Sequence, residues 1–288
     1  MSPRSTLGVI GGSGLYDIDG LTGVEEVRVD TPFGPPSDTV VRGRLGQTDL
    51  LFLPRHGRGH RIAPHQIEYR ANVCALKKLG ATHLVSVSAV GSMKESIAPG
   101  HFVVVDQFID LTKGRTATFF EDGMVGHVGF ADPVCEHLAH ALAGAAERAG
   151  AQVHRGGTYV CIEGPQFSTR AESQLYRSWG ASVIGMTAMP EAKLAREAEL
   201  PYAVLALATD YDCWHESEED VSVQAVIDVL RRNVATAAKA VAELAGALPD
   251  ASKSQATTAL ANALMTARAR IPTATFERLE WLVGQYLR

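Results

Sequence analysis

The chain reads as a single α/β domain: a central mixed, largely parallel β-sheet flanked by helices, with further helices at the C-terminus. Three observations carry this reading. Short apolar runs alternate with helix-period segments along most of the length. The runs lack polar alternation, as expected of strands buried on both faces. Several helix-period segments stop at a glycine, at Gly80, Gly150 and Gly246, the residue that ends helices most easily.

Composition allows a large core: 288 residues, 46% hydrophobic and 20% charged. A net charge of −5 gives no general attraction to nucleic acid or anionic membrane. Any anionic ligand must therefore be held by a local cluster. The 4 cysteines are scattered, with no Cys-x-x-Cys pair, so buried free thiols are expected. Residues 1–6 carry no apolar signal core, and no run approaches the roughly 18 apolar residues of a membrane span. The expectation is a cytoplasmic protein with no membrane partner.

Leu7–Ile10 is a strand entering the glycine turn Gly11-Gly12-Ser13-Gly14. The three prolines of Thr31–Asp38 exclude an interior strand or helix there. Thr39–Arg44 and Asp49–Leu53 form a hairpin ending at Arg55-His56. Tyr69–Leu79 is a helix, and His83–Val90 and Phe102–Ile109 are strands. Asp132–Ala149 is an alanine-rich helix, and Gly157–Ile162 a strand. Ala171–Trp179, Ser182–Met186 and Pro190–Glu199 follow as helix, strand and helix. The stretch Ala203–Trp214 opens with six small or aliphatic residues that read as a buried strand, and Val221–Leu244 is a long amphipathic helix. Past Pro249, a polar link at 251–258 leads to two helical stretches, about 259–270 and 275–287. The main domain is thus 1–248, with 249–288 a helical appendage packed on it.

Several strand ends carry anion donors. The Gly11–Gly14 turn can converge backbone N–H groups, with Ser13 adding a hydroxyl; it is neither a Walker A loop nor Gly-x-Gly-x-x-Gly. Arg55 offers a bidentate guanidinium, or else a salt bridge. Ser86–Ser92 and Met186-Thr187 add hydroxyls and small residues. Together they point to phosphate or a phosphorylated ligand. The strand that opens at Ala203 ends in Asp210 and Asp212. If the backbone stays extended, both side chains point the same way; the alternative is a helix-capping pair. His56/His60 and His137/His140 have no third partner in pattern, so no metal site is expected.

The ordered set Gly11-Gly-Ser-Gly-Leu15, Arg55-His-Gly-Arg-Gly-His60, Tyr69-Arg-Ala-Asn72, Ser88-Ala-Val-Gly-Ser92, Asp106-Gln-Phe-Ile-Asp110, Ile162-Glu-Gly-Pro-Gln-Phe-Ser168, Met186-Thr187-Ala-Met-Pro-Glu191 and Thr209-Asp-Tyr-Asp-Cys-Trp214, with Thr31–Asp38, resembles the trimeric purine nucleoside phosphorylase family. Within it, the 5′-methylthioadenosine phosphorylases are most similar. The resemblance covers about residues 7–247, and the tail beyond 250 departs from it.

The resemblance implies phosphorolysis of a 6-aminopurine nucleoside in the cytoplasm, as part of purine and methionine salvage. Phosphate is a co-substrate, and no cofactor or metal is needed. It implies that Ser13, Arg55, His56, Ser88, Ala89 (through its N–H) and Thr187 hold phosphate. Phe167 and Ser168 would contact the base, and Met186 the ribose. Asp210 would assist departure of the base at N7, with its pKa raised by burial and by Asp212. Asp212 would accept from the 6-amino group and repel a 6-oxo group; 6-oxopurine enzymes of the family carry Asn there. Val223, Val226 and Ile227 share one helix face, read by spacing as core and by resemblance as the 5′-alkylthio pocket. His127 would reach that pocket from a neighbouring subunit of a homotrimer. Other 5′-deoxy or 5′-halo adenosines stay open as substrates. The competing readings are a 6-oxopurine phosphorylase and a catalytically silent nucleoside-binding protein.

Overall fold

The computed structural model describes residues 5–12, 14, 15, 18–215 and 223–287, without the side chains of 223–228 and 230–232. Eleven strands form one sheet. In chain order the first are β1 (Thr6–Gly11), β2 (Thr22–Val27), β3 (Val40–Leu45) and β4 (Thr48–Pro54), followed by helix α1 (Tyr69–Lys78). Then come β5 (His83–Ser92), β6 (Phe102–Val104), β7 (Gln107–Asp110), α2 (Glu136–Arg148), β8 (Val153–Arg155) and β9 (Thr158–Cys161). The chain continues through α3 (Arg170–Ser178), β10 (Val183–Gly185), α4 (Ala188–Glu197), β11 (Tyr202–Asp210), α5 (Val223–Ala245) and α6 (Thr273–Leu287).

The sheet is organised around β5. Along its first part β5 pairs in parallel with β1 on one side and β11 on the other. At Gly91-Ser92 it turns to an antiparallel pairing with β10, which continues in parallel to β9 and β7. The other branch runs from β11 to β6 and β8. Parallel and antiparallel pairs therefore coexist, with an antiparallel β5–β10 pair at the centre and parallel pairs closing the β7 and β8 arms. Apolar clusters cover both faces. Leu7, Leu50, Val85 and Leu205 pack with Leu138 and Leu142 of α2 and Val241 of α5. Leu51, Leu53 and Val204 pack with α1, α4 and α6 through Val73, Leu194 and Leu279. All four cysteines are free, three of them buried.

Four differences from the expected elements have physical causes. The single strand at 102–109 is two: β6 serves one branch of the sheet and β7 the other, and Asp106 between them accepts the Gly157 N–H at 3.0 Å. Helix α2 starts at Glu136 because Cys135 is still extended, its N–H held by Tyr202 O at 2.8 Å. The strand β2 was not anticipated; it is an exposed edge strand without an apolar pattern. The expected helix at 259–270 does not form. Instead Ala263 O accepts from His127 N at 2.8 Å and Met265 N donates to Val125 O at 2.9 Å, so cross-chain pairing overrides the helical preference of an alanine-rich segment. Only the last stretch, α6, is an α-helix.

The tail belongs to the main core. Leu260, Ile271, Leu282 and Val283 sit in the same cluster as β4 and β11 side chains. Glu199, buried at the α4–β11 corner, accepts from Leu260 N (3.0 Å), Gln285 Nε2 (3.1 Å) and Tyr286 Oη (2.6 Å). Among the described residues no helix is long and apolar enough to cross a membrane.

Candidate active site

The C-terminal ends of β1, β4, β5 and β11 open on one cavity of about 710 Å³. This is where open α/β sheets place ligands. Its lining gathers ten of the residues singled out by sequence: Arg55, His56, Ser88, Ala89, Phe167, Ser168, Met186, Thr187, Asp210 and Asp212. Ser13 lies outside the described residues, as do the side chains of Val223, Val226 and Ile227. His127 is exposed and apart from this cavity.

At one end stand two hydroxyls, Ser88 Oγ and Thr187 Oγ1, 3.2 Å apart. Beneath them Arg55 is 2% exposed and bound to Glu191, with Nε to Oε2 at 3.0 Å and Nη2 to Oε1 at 3.2 Å. Its other hydrogens go to Val87 O at 3.2 Å, Ile10 O at 3.1 Å and Ser86 Oγ at 2.6 Å. The bidentate fork expected for an anion is thus spent on Glu191, and about one Nη1 hydrogen remains. Burial alone would weaken the guanidinium's hold on its proton, but the Glu191 charge more than offsets this, so Arg55 stays charged.

His56 also differs from expectation. Its Nδ1 sits 2.8 Å from Ile62 O, a pairing that requires the hydrogen on Nδ1. Burial pushes its pKa down to about 4, despite that hydrogen bond. Near neutral pH the ring is therefore uncharged and Nε2 is an acceptor, not a donor. It stacks on His60, with centroids 4.1 Å apart.

At the other end lie the two acids. They converge by a turn and not by strand alternation: β11 stops at Asp210, and Asp212 is left-handed with φ 52°. Asp210 Oδ1 accepts the Asp212 N–H at 2.8 Å, and Thr209 Oγ1 donates to Oδ2 at 2.7 Å. This is a side-chain-closed turn and not a helix cap; residues 216–222, ahead of α5, lie outside the described residues. Burial raises the pKa of Asp210; the two hydrogen bonds oppose this, and the Asp212 charge adds to it. Asp212 is likewise raised, chiefly by burial. The turn is anchored by Trp214, whose Nε1 donates to Ser92 O at 2.7 Å under the Arg177 guanidinium, 3.5 Å from the ring centre.

Residues 162–168 form another wall of the cavity. Phe167 is 47% exposed, and Ser168 Oγ is buried with no protein partner among the described residues. Thr169 then caps α3 in a capping box with Glu172, accepting from its N–H at 3.2 Å while its own N–H donates to Oε2 at 2.8 Å. That motif, readable as Thr-x-x-Glu, holds the loop end by about 1 kcal/mol. Sequence reasoning missed Glu191, whose partner lies 136 residues away. It also missed Val234, which lines the cavity from α5; that residue continues the Val226–Ile227 stripe two turns on, so the spacing could have found it.

Residues 6–245 match the phosphorylase superfamily. The chain belongs to that superfamily. It is 56% identical to the S-methyl-5′-thioadenosine phosphorylase of Geobacter sulfurreducens, over 99% of this chain and 100% of that one. A methylthioadenosine phosphorylase from an antarctic soil metagenomic library superposes with TM-score 0.91 at 48% identity, covering 97% of this chain and 99% of the other. A variant of the adenosine/methylthioadenosine phosphorylase from Schistosoma mansoni, in complex with methylthioadenosine, gives TM-score 0.82 at 39% identity over 87% of this chain and 94% of that one. The superfamily match ends at residue 245, close to the expected limit of the resemblance, whereas the match to the Geobacter sulfurreducens relative covers 99% of this chain and so runs through the tail that was expected to depart from it.

Proposed function

We propose that this chain catalyses phosphorolysis of 5′-methylthioadenosine. Phosphate attacks C1′, the bond from C1′ to N9 breaks, and the electron pair leaves with adenine, giving 5-methylthioribose 1-phosphate. The observation that carries the reading is the cavity's division: paired buried hydroxyls at one end, and at the other half-buried Asp210 and buried Asp212, both of raised pKa. The names of the near relatives support the same reaction.

Bond breaking puts positive charge on the sugar and negative charge on the base. Bound phosphate stabilises the first and is also the nucleophile, so the chain need supply neither nucleophile, metal nor organic cofactor. Ser88, Thr187, the Ala89 N–H and the remaining Arg55 hydrogen would hold phosphate, with Ser13 from the glycine turn. His56 Nε2, as an acceptor, would take the hydrogen of a protonated phosphate oxygen. Asp210, its proton held by burial, would share that proton with N7 as the base departs. Asp212 would accept from the 6-amino group and oppose a 6-oxo group, selecting adenine. Phe167 would stack on the base, Ser168 Oγ would meet its edge, and Met186 would lie against the ribose. Val223, Val226 and Ile227 would line the 5′ pocket, completed by His127 of a neighbouring subunit in a homotrimer. A cytoplasmic location suits four unpaired thiols.

Purified protein given methylthioadenosine should release adenine only when phosphate is added. Release without phosphate would make it a hydrolase. Inosine turned over as fast as adenosine substrates would remove the role of Asp212.

A further inference from the structure

Arg115 belongs to none of the groups assigned above and does not line the cavity. Its side chain is only 1% exposed, in the segment that follows β7. Nη1 donates to Met186 O at 2.6 Å, Met189 O at 2.7 Å and Tyr69 Oη at 2.9 Å. Nη2 donates to Glu163 O at 2.6 Å and Ile162 O at 3.4 Å. One guanidinium thus gathers carbonyls from two stretches that diverge in sequence and meet at the cavity. One stretch leads into Phe167 and Ser168; the other holds Met186 and Thr187.

These two stretches also touch directly. A Cβ placed on Gly164, whose φ is +65°, would fall 2.5 Å from Met186 Sδ. The contact fixes how closely they approach, and the guanidinium fixes their register. A carbonyl cluster of this kind repels itself unless a cation with several donors sits in it, and Arg alone among side chains brings five in a planar fork. The Arg115 segment is itself tied down at both ends. Glu163 Oε2 accepts the Lys113 N–H at 2.8 Å, and Glu197 accepts from Thr118 Oγ1 and Phe119 N, both at 2.7 Å.

We infer that Arg115 is a positioning residue that sets the distance between the base-side loop and the sugar-and-phosphate-side loop of the cavity. The inference rests on the proposed reaction for its kinetic meaning, though the tether itself does not. Each loop alone keeps partners on other elements: Ser168 O accepts from Cys213 Sγ at 3.3 Å, and Thr187 faces Ser88. Losing Arg115 therefore shifts the halves against one another while leaving their separate contacts. A misplacement of ~1 Å between reacting groups costs on the order of 100-fold in rate.

The test compares full-length wild type, Arg115→Met and Arg115→Lys. Turnover is followed with methylthioadenosine and phosphate, and hydrogen exchange is followed at 162–168, 186–189 and 210–214. Expected for Arg115→Met are a kcat lower by about 100-fold with the phosphate KM within about threefold, and faster exchange at 162–168 and 186–189 with 210–214 unchanged. Arg115→Lys should recover part of both. If Arg115→Met does not fold, Arg115→Lys decides, with at least a tenfold loss of kcat expected. Unchanged exchange in both loops, or a kcat within threefold of wild type, would overturn the inference. So would parallel loss of kcat, phosphate KM and Tm, which marks a merely structural role. A wild type that turns over no nucleoside would instead refute the reaction, and the exchange data would still judge the tether.

Discussion

The ends of β4 and β11 both deliver an ionisable pair to one cavity, and they are charged in opposite ways. At β4 the charge of Arg55 is retained because Glu191 is folded in against it, while His56 beside it is kept neutral. At β11, among the described residues, no cation is bonded to Asp210 in the same manner, and both acids are pushed toward the protonated form. Sequence alone assigns a free cation to one end and, to the other, an acid whose pKa is raised by burial and by its neighbour. In the folded cavity the cation is compensated by Glu191 and leaves the paired hydroxyls at that end, while the acid end holds its protons. Burial decides the charge at each, according to whether a counter-ion is buried too.

This contrast can be broken first at the acid end. Asp210→Asn removes the proposed proton donor, and turnover should fall by roughly 10²–10⁴ with little change in nucleoside KM; near-normal kcat would cancel the role. At the β4 end, Glu191→Gln leaves the Arg55 charge buried without its partner. Denaturant melts should then show a loss of about 3–5 kcal/mol. The double change with Arg55→Met should recover much of it, and strict additivity would contradict the pairing. Asp212→Asn should shift the adenine-to-hypoxanthine preference by about 10–100-fold, read as the ratio of kcat/KM values.

The smallest effects are in pH. Burial lowers the His56 pKa to about 4 in the folded chain from its ordinary 6.5. The unfolded chain binds more protons between these values, so His56 lowers stability as pH falls from 6.5 to 4. Glu197 runs the other way: burial raises its carboxyl to about 7 from 4.5, so its contribution is present below 4.5 and is lost as pH rises to 7. Glu197→Gln should flatten that part of the Tm-against-pH curve, and an unaltered curve would show that Glu197 does not titrate there.

Much of the architecture was legible because buried strands and alanine-rich helices announce themselves locally. The cavity's membership was legible too, since residues at strand ends point to one edge of the sheet. What was not legible is pairwise. Nothing near Arg55 in sequence says that its fork faces Glu191, and nothing near His56 says that Ile62 O fixes its tautomer. The convergence of Asp210 and Asp212 was anticipated for the wrong reason, because a left-handed residue after the strand replaced the assumed extension. The segment at 259–270 has helical composition, yet its backbone is claimed by 125–127, a long-range competitor that local preference cannot register.

The Glu199 carboxylate bears on the order in which the molecule can be assembled. Its acceptors are satisfied by Leu260, 61 residues further on, and by Gln285 and Tyr286, 86 and 87 residues further on. During synthesis the sheet strands are all made before these donors exist. Until the tail through α6 forms, Glu199 lacks these three donors and has the Lys77 charge as its neighbour, and the apolar layer over β4 and β11 lacks Leu279, Leu282 and Val283. Contacts of such separation slow folding, and they make residues 260–286 part of the domain's core rather than an ornament on it.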